Sequence, residues 1–410
     1  MKLNDEERAM QAGEFGPVRK LAIEHQIKVG DFFGAADLVP VSQAHIMADT
    51  ESLGEAGVGW LEMLAAHPLK ERWVRIPTIT DPRGTDFAKA ALLKQAPWML
   101  DLERRTIDAF VKLGVLMTNT CVNYQTILAA TRGEHVAFGD TGVVIYSNSV
   151  CGARSNFEGG PSALAAGLTG RTPRYGFHLD ATRRATVHVR VDTVPQSWHE
   201  WGALGGVIGR LAGNYWAVPV IEGLEGATGS DALKHFGAAM ASFGSVALFH
   251  MLGVTPEAAR YADVADAGLP MHRVGRAEMD ALQASYRIDD RVDVVVFSAP
   301  QLSVLELAAL ADLVDGRTVK IPLLAITSPQ TKPDADRMGL TARIERAGGT
   351  VLEGMCFYQS YAREIAAANG WKRLATNSAK MVNILGGYGY QPMLASMEAC
   401  VDAACTGVLK

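Results

Sequence analysis

The sequence is poor in cysteine and spaces none of its thiols as CxxC. Cys121, Cys151, Cys356, Cys400 and Cys405 are scattered and odd in number, which argues against a disulfide framework in a chain of 410 residues. There is no long uninterrupted apolar run of the kind that spans a membrane. Net charge is only -5, with no basic stripe and no polybasic tract, so neither nucleic acid nor a membrane surface is indicated as a partner. The opening "MKLNDEERAM" is acidic and polar, unlike a secretory signal, and the reading is a cytoplasmic protein. Low-complexity segments and internal repeats are also missing. What is present is apolar bulk, 48% of the residues, enough for a large core. Length allows two or three domains, or one large enzyme domain with lobes.

Local patterns give elements. Asn4 is placed to cap a first helix, with Glu7 three residues on as the acid of a capping box. "VRIPTIT" (Val74 to Thr80) reads as extended, and Phe87 to Leu113 as a long helix. "TGVVIYSNS" (Thr141 to Ser149) reads as a buried strand, as does "SVALFHM" (Ser245 to Met251). "ATVHVRV" (Ala185 to Val191) alternates like a half-buried strand. The C-terminal third is more regular. Strands are expected at Val292 to Ser298, Val319 to Thr327, Thr350 to Gly354 and Lys372 to Asn377. Helices are expected at Ser303 to Val314, Asp334 to Gly348 and Ala362 to Gly370. Strict β-α alternation implies a doubly wound parallel sheet, hence an α/β protein with lobes 1–285 and 286–410.

Two regions carry chemistry. In a doubly wound sheet, ligands gather at the carboxyl ends of the strands. Those ends are "SAPQLS" from Ser298, "TSPQT" from Thr327, "MCFYQS" from Met355 and "TNSAK" from Thr376, all polar and one bearing Cys356. The second region is "SNSVCGARSNFEGGPSALAAGLTGRTPRYG", from Ser147 to Gly176. It should turn on Gly159 and Gly160, after which Pro161 and Ser162 open a small-residue helix. Free amides at that helix start, flanked by Arg154 and Arg171, can hold a carboxylate or phosphate; the alternative is a tight packing corner with solvated arginines. Three thiolates can ligate an iron–sulfur cluster and leave one iron open, although without CxxC spacing the spacing itself favours ordinary buried thiols.

At this point the residues resemble a known family. "GEHVAFGDTGVVIYSNSVCGARSNFEGGPSALAAGLTGRTP" is similar to the signature region of aconitase X, and the run from Asn148 to Pro173 is the most specific part. "EERAMQAGEFGPVRKLA", "GAADLVPVSQAHI", "IPTIT", "TNSAK" and "EACVDAA" extend the resemblance over nearly the whole chain. It implies an aconitase-like multi-lobed fold and an iron–sulfur hydro-lyase acting on a small hydroxy acid. Family activities include dehydration of cis-3-hydroxy-L-proline and of a mevalonate phosphate. The resemblance implies Cys121, Cys356 and Cys400 as cluster ligands, in a two-iron or four-iron form, and leaves Cys151 and Cys405 as structural thiols. It further implies catalytic roles for His45, Ser162 and Lys380. Substrate contacts would come from Arg154, Ser155, Asn156, Glu158, Gly160, Thr169, Arg171, Ser298, Gln301, Asn377 and Ser378. His135 reads as structural.

Departures accompany the resemblance. Where the family reads G-C-P-H or G-S-P-H, this chain has Ser298-Ala299-Pro300-Gln301, so an imidazole becomes an amide. Phe157 replaces the arginine of N-R-E-G-G, and Cys121-Val122-Asn123-Tyr124 replaces C-T-P-Y. "MVNILGGYGY" after Lys380 lacks the A-H-Y run. The family also uses a smaller swivelling domain with a catalytic serine, and none is visible before Lys410, which implies a separate small subunit. Three readings follow: a dehydratase large subunit acting on cis-3-hydroxy-L-proline or a related or phosphorylated hydroxy acid; an altered paralogue that only binds a ligand or partner; or a lyase using one metal or none.

Overall fold

The computed structural model describes residues 1–226 and 228–410. Its α/β architecture rests on three parallel sheets with helices packed around them. The strand Ala44–Ile46 lies between Thr78–Thr80 and Ala137–Phe138 in a three-stranded sheet. A four-stranded sheet is built on Val187–Val191, between Pro219–Glu222 and Met271–Val274, with His250–Met251 at one edge. The third sheet has five strands. Val294–Leu302 is central, Leu323–Thr327 and Thr350–Glu353 extend it to one side, and Arg373–Thr376 and Gln391–Leu394 to the other.

That last order is the doubly wound arrangement expected from the β-α alternation. The chain starts in the middle, builds outward, and then crosses to the opposite flank. The reversal leaves a crevice between the carboxyl ends of Val294–Leu302 and Arg373–Thr376, the place where such sheets bind ligands. Every residue of Val294–Leu302 is buried. Val295 and Phe297 face one apolar cluster, and Val294, Val296 and Ala299 face another on the opposite side of the sheet. Helix Trp198–Ala212 presses on helix Ser230–Gly244 where a methyl group at Gly205 would collide with the Phe236 carbonyl.

Local chemistry sets most of the element ends. Asn4 caps helix Asp5–Ala12, and both arms of the capping box with Glu7 are made. Ser303 caps Val304–Val314 in the same way through Glu306. Several expected boundaries differ. Thr141–Tyr146 is a helix running into a π-turn at Ser147–Cys151, rather than a strand. Asp140 caps it by accepting the Val143 amide, and burial on all sides removes the polar stripe that would mark a helix in the sequence. The long helix begins at Pro97, not Phe87, because the residue before a proline is pushed out of helical geometry. The segment from Asp334 breaks at Gly339, with φ of +72°, into Lys332–Arg337 and Leu340–Arg346. Extended structure near Val74 narrows to Thr78–Thr80, and near Ser245 to His250–Met251. Among the described residues no helix is long and apolar enough to cross a membrane.

Candidate active site

The carboxyl ends of two sheets converge on one buried cluster of polar side chains, called the chamber below. The three-stranded sheet delivers His45 from its central strand, Asp81 directly after Thr78–Thr80, and Asp140 just beyond Ala137–Phe138. The five-stranded sheet delivers Gln301 from Val294–Leu302, Cys356 after Thr350–Glu353, and Lys380 past the end of Arg373–Thr376. Lys380 Nζ donates to Asp140 Oδ2 across 3.1 Å and joins the two sets. Gln359 Nε2 reaches Asp81 Oδ2 at 3.2 Å and Asp49 Oδ2 at 3.4 Å. The Gln301 amide N–H points at Cys121 Sγ, 3.5 Å away.

All of these side chains are at most 7% exposed, so their charges are set by each other. Burial alone would lower the Lys380 pKa, but Asp140, the thiols Cys121 and Cys356, and Asp81 together hold it above the ordinary lysine value. Burial pushes Asp140 up, and Lys380 and His45 outweigh it, leaving the carboxyl below its usual range. For Asp81, Lys380 and the Gln359 hydrogen bond do not offset burial. Burial and the neighbouring Asp140 drive its pKa well above a normal carboxylate. Burial pushes Cys121 up to about 12, with Asp81 and Asp140 adding to the rise, and Cys356 is raised further. The cluster therefore sets a lysine–carboxylate couple beside a carboxyl and two thiols whose pKa values burial raises.

Several buried atoms at the chamber have no partner: Asp81 Oδ1, Gln301 Oε1, Gln359 Oε1 and His45 Nδ1. Orphaned buried acceptors call for a bound group, because a lost hydrogen bond there costs about 1–3 kcal/mol. Sequence reasoning picked out His45, Cys121, Gln301, Cys356 and Lys380, and the fold brings these five together. It missed Asp81, Asp140 and Gln359. The signal available was an aspartate at or just past the end of a short strand, in "TITD" and "AFGD", and the neighbour of a candidate thiol in "CFYQ".

His45 cannot serve as a proton donor to a leaving group in this setting. Its Nε2 stands 2.9 Å from the Thr120 carbonyl oxygen and must donate there, and burial lowers its pKa and keeps the ring neutral. Ser298 and Ser378 brace the crevice. Ser298 Oγ accepts the Phe357 amide, and Ser378 Oγ donates 2.6 Å to the Ala299 carbonyl, straight across the switch point. Asn377 faces away, into a cavity of about 370 Å³ bordered by Trp198 and Trp201.

The glycine-rich region takes up its polar groups in its own framework. Ser155 Oγ accepts the Phe138 amide, and Asn156 bonds the Tyr175 carbonyl, the Phe177 amide and the Tyr215 hydroxyl. Glu158 accepts from Thr172, and Thr169 donates to the Ala165 carbonyl one turn back. Arg154 is held by Asp180 and the His178 carbonyl beside a separate cavity of about 550 Å³. Arg171 pairs with Glu6 and Glu7 of the first helix. Ser162 hydrogen-bonds His25 at 2.9 Å, and Gly160 borders an apolar groove with Met47 and Trp60. Ser155 and the Glu158 amide brace Phe138, two residues before Asp140. The glycines serve close packing, since a methyl at Gly160 would stand 3.0 Å from the Met47 carbonyl.

The three cysteines also separate. Cys356 packs with Val294, Val296 and Ala299 on one face of the five-stranded sheet. Cys400 packs with Val295, Phe297 and Leu307 on the other face, where its thiol approaches only the Ala395 carbonyl at 3.9 Å. A cluster held by Cys121, Cys356 and Cys400 does not fit this arrangement, because the sheet stands between the third thiol and the first two. Among the described residues no three His, Cys, Asp or Glu side chains are grouped to hold a metal ion.

Family profiles match the chain in three blocks: aconitase X first domain over residues 1–181, second domain over 185–284, and third domain over 292–406. The phosphomevalonate dehydratase large subunit of Thermococcus kodakarensis is 31% identical over 98% of this chain and 100% of its own length. That of Methanosarcina mazei is 34% identical over 99% and 98%. The cis-3-hydroxy-L-proline dehydratase of Pseudomonas aeruginosa is 31% identical over 99% of this chain and 70% of its own length. The crystal structure of Thermococcus kodakaraensis aconitase X in its holo-form superimposes with a TM-score of 0.89, at 31% identity over 98% of this chain and 100% of that one.

Proposed function

The chain belongs to the aconitase X family and is a dehydratase, a carbon–oxygen hydro-lyase, and on that premise we propose that it is the large subunit of an enzyme removing water from a small hydroxy monocarboxylate of the cis-3-hydroxy-L-proline kind. The observation that carries this reading is the buried Lys380–Asp140 pair beside Asp81, whose carboxyl pKa is pushed well above the ordinary range by burial and the neighbouring Asp140. Lys380 supplies the positive charge for one substrate carboxylate. Asp81 gives its proton to the departing hydroxyl as the C–O bond breaks, so that water leaves. The proton lost from carbon goes to a base on the small subunit. That partner is supported by the relatives named large subunits and by the extra length of the Pseudomonas enzyme.

The arginines of the glycine-rich region offer little further positive charge. Arg154 and Arg171 are neutralised by Asp180, Glu6 and Glu7, and Phe157 stands where the family has arginine. A phosphorylated acid would need further cations in the chamber. The test is a complex of this chain with its small subunit, offered cis-3-hydroxy-L-proline, related hydroxy monocarboxylates and phosphomevalonate, with loss of water read by mass spectrometry. Turnover of a monocarboxylate is expected. Turnover of phosphomevalonate alone would overturn the substrate class, and no turnover of any would favour the altered paralogue.

A further inference from the structure

We infer that this chain has lost one corner of its thiol site, at residue 299, and that Cys121 and Cys356 alone cannot anchor a three-thiolate iron–sulfur cluster. The inference rests on the dehydratase reading for its interest but not for its evidence. Two thiols share the chamber, and the irregular end of the strand Val294–Leu302 that runs between them is Ser298-Ala299-Pro300-Gln301. Gln301 N–H points at Cys121 Sγ, Ser298 Oγ accepts from Phe357 next to Cys356, and Ala299 packs in the same cluster as Cys356. This stretch, which touches the surroundings of both thiols, is the one placed to supply a third thiolate, and Ala299 offers only a methyl group. Cys400, the remaining buried thiol, lies beyond the sheet.

Gln301 is held at both ends. Gln301 Nε2 donates to the carbonyls of Asn119 at 3.2 Å and Met355 at 3.3 Å, tying down the segments that lead to both thiols. From behind, Lys234 Nζ donates to the Gln301 carbonyl at 3.1 Å, and Lys234 is itself fixed by Glu306. An amide with its oxygen unpartnered replaces what would be a proton-exchanging or metal-facing side chain. Three-thiolate clusters depend on every cysteine, so a two-thiolate site should hold iron and sulfide weakly.

The experiment is anaerobic reconstitution of the full chain with ferrous iron and sulfide. Iron, acid-labile sulfide and visible absorbance per chain are measured for the wild type, Ala299→Cys and Cys400→Ala. The wild type should bind far less than one cluster per chain, unchanged by Cys400→Ala. Ala299→Cys should gain about tenfold in bound sulfide, with the gain lost again on Cys356→Ser in that background. A full cluster in the wild type overturns the inference, as does a folded Ala299→Cys, judged by circular dichroism, that gains nothing. Where Ala299→Cys does not fold, the wild-type content decides alone. Because cluster content is read rather than turnover, a chain inactive on every hydroxy acid would defeat the proposed function and leave this result standing.

Discussion

Lys380 Nζ lies 3.1 Å from Asp140 Oδ2, although 240 residues separate them, and this contact ties the switch point of the five-stranded sheet to the carboxyl end of the three-stranded one. Both groups are nearly inaccessible, so each is the other's main compensation for lost hydration. Lys380→Met should leave Asp140 buried and unpaired and cost about 3–5 kcal/mol of unfolding free energy. Adding Asp140→Asn should recover part of that loss. A urea-denaturation double-mutant cycle measures the coupling, and additive single effects would mean the pair is not formed.

Arg154 and Arg171 give a contrasting case. Arg171 pairs with Glu6 and Glu7, which anchors the first helix, and Arg154 pairs with Asp180. Arg171→Ala should lower stability by about 1 kcal/mol and leave KM within about twofold of wild type. A large rise in KM with stability unchanged would restore the arginine to the substrate.

Glu306 sets the response to acid. Burial works against its charge, but Lys234 and His235 hold its pKa down to about 2, against an ordinary 4.5. A depressed carboxyl contributes stability that is present above pH 4.5 and lost as pH falls toward 2. The amount is about 3 kcal/mol, and it should be lost over that window. Glu306→Gln should be less stable at neutral pH and lose this acid limb, as read by thermal melts against pH.

Glu103 has the opposite sign. Burial raises its pKa to about 7, despite bonds from Thr50 and the Gly84 amide. The folded state thus holds a proton that the unfolded state releases near pH 4.5. Stability from this group is present at low pH and falls as pH rises from 4.5 to 7, by about 3 kcal/mol. Glu103→Gln should flatten that decline, and an unchanged slope would count against the assignment.

How far the sequence alone reached depends on the range of the interaction. The doubly wound sheet was readable because each strand and helix declares itself within a dozen residues, and Cys356 was found from its place after a strand. Thr141–Tyr146 misled because an apolar run buried on every side carries no period, and only the Asp140 cap separates helix from strand. Asp81 and Asp140 were missed since their meaning comes from Lys380 and Gln359, hundreds of residues away. Cys400 looked equivalent to Cys356 in sequence, while the alternation of Val294 and Val295 along one strand puts them on opposite faces. The glycine-rich stretch stood out in the sequence by its Gly, Ser and Arg content. Its side chains hydrogen-bond largely within their own framework, through Ser155, Asn156, Glu158 and Thr169.

The measurement that bears most directly on the central claim is kcat/KM for the dehydration, comparing wild type, Lys380→Met with Asp140→Asn, and Arg171→Ala, each with the small subunit. If chemistry occurs in the chamber, the first variant should fold and lose about three orders of magnitude or more, while Arg171→Ala stays near wild type. A Lys380 variant within a few-fold of wild type, or an Arg171 variant that loses everything, would place the reaction elsewhere in the molecule.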